Sequence, residues 1–106
     1  MSKRKTKEEQ VWLNRVAELG CIICGAPAEI HHIGNGTMGK KASNFEVIPL
    51  CHVHHRTGGH GVAVHAGRRT WEVNHGTERE LLEKTRQMIR EQEIDAWGRM
   101  TTGGEF

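Results

Sequence analysis

The sequence predicts a small α+β domain: an N-terminal helix, a cysteine knuckle, two short strands followed by a turn or short helix, and a long C-terminal helix. Apolar residues recur at helical spacing near both ends. Two short runs, AEIHHI and FEVIPL, are bounded by glycine-rich turns. With 13 glycines in 106 residues, short strands and turns fit better than a helical bundle.

The elements follow in order. Residues 1–6 are polar and basic and read as a flexible arm, 7–98 as a single domain, and 99–106 as a frayed tail. A helix is expected from about Thr6 to Leu19, with Val11, Trp12, Val16 and Leu19 on one face and Gly20 as the stop. CIICG then makes a knuckle turn, and AEIHHI a strand after the punctuation of Gly25 and Pro27. GNGTMGKKAS, residues 34–43, is a glycine- and lysine-rich loop before the second strand, Phe45 to Leu50. A short helix or turn should start near Cys51 and fail at Gly58-Gly59, and GVAVH reads as strand or buried turn. Thr77 and Glu80 form a Thr-x-x-Glu capping box ahead of Leu81, Thr85, Met88, Ile89 and Gln92, with Gly98 as the stop. Trp12, Trp71 and Trp97 read as packing residues.

Apolar residues are 36% of the chain and aromatics 5%, a lean supply for a core of this size. Such a domain gains from a staple. No run approaches the ~20 apolar residues of a membrane span, and no basic start leads into an apolar signal segment. Three cysteines, an odd number, point to reduced thiols in a cytoplasmic setting rather than a disulfide framework.

Those thiols have ligand spacing. Cys21 and Cys24 form C-x2-C, so one tight turn presents two thiolates to one ion; Cys51 and His54 repeat the geometry as C-x2-H about thirty residues later. Three sulfurs and one imidazole from two knuckles suit tetrahedral zinc. Spacing alone does not choose among His54, His55 and His60 for the fourth ligand. The competing reading is that the cysteines are small buried hydrophobes.

Eight histidines exceed what that site needs. His31 and His32 are adjacent on a strand and point to opposite faces. Hydrolysis of a phosphodiester needs a cation beside the phosphorane, a base for water, and a group that orients the base. His31, His55 and His65 can supply the cation site, His32 the base, and Asn44 the partner that fixes the His32 ring. His52 and His75 read as ordinary surface or core residues. The net charge of +2 is too weak to argue for nucleic acid, but its distribution says more. Lys3, Arg4, Lys5 and Lys7 open the chain, and Lys40, Lys41, Arg56, Arg68 and Arg69 crowd the middle, where they can grip phosphates without reading sequence.

The ordered series His31-His32, Asn44, His55, framed by Cys21-x2-Cys24 and Cys51-x2-His54, resembles the HNH endonucleases of the His-Me finger (ββα-metal) class. It is most similar to the phage Ref-type recombination-enhancement nucleases, whose text is matched by GCIIC, IHHI, PLCHVHH, AVH and GTERELL over roughly residues 20–90. Two features depart from the pattern: Cys51-x2-His54 stands where HNH proteins commonly carry a second C-x2-C, and the Asn44-to-His55 interval is longer than usual. A long basic N-terminal extension of the Ref type is here a short arm.

The resemblance implies a metal-dependent DNA endonuclease with His32 as general base and His31 and His55 on a catalytic divalent ion, Mg2+ or Mn2+, with Zn2+ as a further candidate. It also implies a RecA filament as partner, a phage or prophage origin, and the cytoplasm of a bacterial host. A non-catalytic zinc module that binds DNA or a protein is the alternative; it leaves His31, His32 and His65 without a task. A metal-storage or sensor protein has only the histidine count behind it.

Overall fold

A computed structural model describes the backbone of residues 5–33 and 43–102, with side chains as far as residue 95. The α+β class is as expected. The order is α1 (Lys7–Glu18), β1 (Glu29–His32), β2 (Val47–Leu50), a single π-helical turn (Val53–Thr57), a 3-10 turn (Val64–Ala66), α2 (Arg68–His75) and α3 (Glu78–Thr102). Among the described residues no helix is long and apolar enough to cross a membrane.

Helix α1 starts at a capping box that the sequence reading overlooked. Thr6 Oγ1 accepts from the Glu9 backbone N–H and Glu9 Oε1 accepts from that of Thr6, which satisfies two donors left over at a helix start. Its inner face also differs from expectation. Leu13 and Val16 are buried with Trp12 and Leu19 alongside, whereas Val11 is 53% exposed. At ~100° per residue Val11 sits about 140° from Val16, so both cannot face one core.

β1 and β2 pair antiparallel, Glu29 opposite Leu50 and His32 opposite Val47. All four residues of β2 are buried, because the strand is covered on both faces. Val47 joins Leu13, Val16 and Ile89 on one side; Ile48 and Leu50 join Trp71, Leu81 and Leu82 on the other. The same sheet therefore links two small clusters rather than one large core.

Helix α2 has no counterpart in the sequence reading. Trp71 is its one buried residue, so no apolar period announces it. At α3 the expected box is present, with Thr77 Oγ1 accepting from the Glu80 N–H and Glu80 Oε1 from that of Thr77. Leu82, absent from the expected stripe, is fully buried, and Gln92 is exposed. Gly98 does not stop the helix, which continues to Thr102, so residues 99–102 of the expected frayed tail 99–106 are helical; residues 103–106 lie outside the described residues. A glycine inside a helix costs only about 1 kcal/mol, too little by itself to end a long one. Of the loop expected over residues 34–43, all but Ser43 lies outside the described residues.

Candidate metal centres

The first knuckle depends on Gly20. It sits at φ +82°, and a Cβ there would lie 2.8 Å from the Gly25 carbonyl oxygen. Glycine alone fits that turn. Backbone hydrogen bonds from Cys21 to Ala26 and from Gly25 to Cys21 close it, and Ile22 N–H donates to Pro49 O, fastening the knuckle to β2. Cys51 directly follows β2, and the π turn carries His54 back over the knuckle.

Cys21, Cys24, Cys51 and His54 each place a donor atom within 4.8 Å of the others. Sγ of Cys24 is 3.7 Å from Sγ of Cys51, and Nδ1 of His54 is 3.6 and 3.3 Å from Sγ of Cys21 and Cys51. A tetrahedral zinc site with ~2.3 Å sulfur and ~2.0 Å nitrogen bonds has edges of about 3.8 and 3.5 Å. The donor set thus fits a metal ion of zinc's size and softness. Burial works against ionisation of Cys21, but hydrogen bonds from the backbone of Cys51, Cys24 and Ile23 outweigh it and lower its pKa. Burial, with His75 nearby, lowers the pKa of His54 and favours the neutral, ligating imidazole. His60 is engaged elsewhere, with Ala66 O and Thr70 Oγ1, and the three cysteines are free thiols.

A second cluster forms where β1, the π turn and the 3-10 turn meet. His31, His55 and His65 each offer a ring nitrogen within 4.8 Å of the other two. Nε2 of His55 is 3.0 Å from Nε2 of His65, close to the ~2.9 Å edge of an octahedral site with ~2.0–2.1 Å bonds. The cluster runs from buried His31 through half-buried His55 to exposed His65, so it opens to solvent. Burial, then the neighbouring His55 and His31, lower the pKa of His65 and keep its lone pair available.

Two carboxylates, neither anticipated from the sequence, stand behind these rings. Glu29 Oε2 accepts from His55 Nδ1 at 2.6 Å, and Glu78 Oε2 from His31 Nε2 at 2.7 Å. Arg56, expected at a DNA phosphate, instead forks onto Glu29 at 2.7 and 3.0 Å. Hydrogen bonds from Arg56 and His55 hold the Glu29 carboxyl down at about 2, so an anion faces His55 throughout the neutral range. The only sequence signal for Glu29 was its place two residues before His31 on the strand; for Glu78 there was none beyond an acidic first turn.

His32 is exposed, on the opposite face of β1 from buried His31, as strand alternation requires. Its Nε2 lies 2.8 Å from Oδ1 of Asn44. With Asn44 accepting, the Nε2 proton is fixed and Nδ1 carries the lone pair. Arg68 and Arg69 are exposed in the first turn of α2; Lys40 and Lys41 fall outside the described residues. His52 is exposed, and half-buried His75 rests against the rings of Trp71 and His54.

Residues 1–91 match the family model described as "Protein of unknown function (DUF968)". The chain belongs to the DUF968 family. It is 31% identical over 86 residues to "Uncharacterized protein YdfU" of Escherichia coli (strain K12). That alignment takes in 77% of this chain but 23% of the relative, so the DUF968 chain described here spans about a quarter of the E. coli protein's length.

Proposed function

We propose that this DUF968 member is a metal-dependent DNA endonuclease of the HNH, ββα-metal type. In this reading Cys21, Cys24, Cys51 and His54 hold structural zinc, and His31, His55 and His65 hold the catalytic Mg2+ or Mn2+, with Zn2+ as a further candidate. The observation that most supports it is the His32–Asn44 hydrogen bond on the strand that also supplies His31. A surface histidine whose tautomer is set by Asn44, one residue along the strand from His31 of the open three-histidine cluster, supports a general base working with a cation site.

His32 Nδ1 takes a proton from water as the water oxygen bonds to phosphorus and the ester P–O bond breaks. Asn44 holds the ring, and Glu29 orients His55. His31, His55 and His65 would hold a divalent ion, and its charge would stabilise the phosphorane and the leaving oxygen. Arg68 and Arg69, with Lys40 and Lys41 of the loop, meet the flanking phosphates. A single domain of this size makes few DNA contacts, which favours recruitment by a partner; the RecA filament is the one implied by the resemblance.

The test is cleavage of supercoiled plasmid by purified protein in Mg2+ or Mn2+, with and without RecA filaments, beside His32→Ala, with metal content counted on the same samples. Cutting by the wild type alone, with zinc retained in both, is expected. Absence of cutting under every condition, with zinc and DNA still bound, would replace the nuclease with a non-catalytic zinc module.

A further inference from the structure

We propose that Glu78 is the positioning residue of the three-histidine centre, fixing which nitrogen of His31 faces the ion; this rests on the metal-dependent reading above. Glu78 is the first residue of α3, where a carboxylate is favoured by the helix dipole and needs no other reason to be present. Exposed acids on the same turn serve that purpose: Glu80 closes the capping box from the surface. Glu78 is different. It is 8% exposed, turned inward from α3 onto β1, and its Oε2 accepts the Nε2–H of His31 at 2.7 Å.

Burying a carboxylate is costly unless charge-assisted hydrogen bonds offset the lost hydration. Glu78 faces His31 and, through its other oxygen, Arg68, whose Nη1 is 3.7 Å away. Its backbone is also held, because Glu72 Oε2 from α2 accepts the Glu78 N–H at 2.9 Å. The carboxylate is thus aimed at one ring nitrogen by two helices.

The consequence is chemical. With the proton held on Nε2, His31 keeps its lone pair on Nδ1 and its ring at one angle. An imidazole that donates to a carboxylate through one nitrogen is a stronger ligand through the other. Glu78 does for His31 what Glu29 does for His55, but from a helix beyond the strands and turns that carry the three histidines. The long helix would then be part of the metal centre rather than only a cover for the sheet.

The experiment titrates zinc-loaded protein with Mn2+ by calorimetry, comparing wild type with Glu78→Gln, Glu78→Ala and, as a control, Glu80→Ala. Long-range proton–nitrogen spectra report the His31 tautomer on the same samples. Glu78→Ala should bind the second ion about 10–100-fold more weakly and lose the single Nε2–H form. Glu78→Gln, which fills the same space, should fall between, and Glu80→Ala should lose stability but not Mn2+ affinity. One zinc per chain is expected in all four. Unchanged Mn2+ affinity and tautomer in both Glu78 variants would overturn the inference and leave the nuclease reading standing. A wild type that takes up zinc but no second ion would sink the nuclease reading first, before any variant is compared.

Discussion

His55 and Arg56 converge on one carboxylate: Glu29 accepts from Nδ1 of the first and from Nε and Nη2 of the second. Adjacent residues of a helical turn usually diverge. Here the wider π turn, closed by Gly58 N–H on Val53 O, lets both reach back to β1 while His54 turns to the cysteines. One five-residue turn therefore serves both clusters, and the following outcomes depend on that division.

The His32–Asn44 pair should be separable from metal binding. His32→Ala is expected to lower cleavage by about 10²–10⁴-fold, the contribution of a general base, with both metals retained. Asn44→Ala should cost less, on the order of 10–100-fold, as removal of an orienting partner does. Single-turnover rates with metal counts check both; equal cutting by His32→Ala and wild type would remove His32 from the chemistry.

Removing a cysteine should act on the fold itself. Cys51→Ser, or extraction of zinc by a strong chelator, is expected to abolish cooperative melting, because a metal held by Cys21, Cys24, Cys51 and His54 would join the knuckle to the end of β2 and the core is lean. Circular dichroism during chelator titration is the check. A melting curve that survives complete zinc removal would show the staple to be dispensable.

Gly20→Ala should weaken the same knuckle without touching a ligand. The left-handed backbone and the 2.8 Å approach to Gly25 O together predict a loss of about 1–2 kcal/mol or more. Competition for zinc against a chromogenic chelator should show the reduced affinity.

Leu82→Ala tests the face of α3 that the apolar spacing did not single out. Leu82 is fully buried beside Trp71, Ile48 and Leu50, so truncation should cost about 2–5 kcal/mol. Denaturant unfolding of the zinc-loaded protein measures it, and cleavage by the folded fraction should be unchanged.

What could be read along the chain was whatever local spacing encodes. The α+β class, the two strands, the start of α3 and the ligand pair Cys21-x2-Cys24 all follow from periods and short motifs, since a turn or helix brings near neighbours together by itself. Alternation on β1 likewise assigned His31 and His32 to opposite faces. Local spacing could not choose among His54, His55 and His60, nor announce α2, whose single buried Trp71 makes no period. It also left out Glu29 and Glu78. Glu78 lies 47 positions from His31, and only the packing of α3 against β2, which seats its first turn beside β1, makes that carboxylate a partner. Charge makes Arg56 visible in the sequence as a candidate phosphate contact, but its partner is not visible: Glu29 lies 27 positions away, and only the fold of the π turn back toward β1 brings that carboxylate within hydrogen-bond distance of the guanidinium.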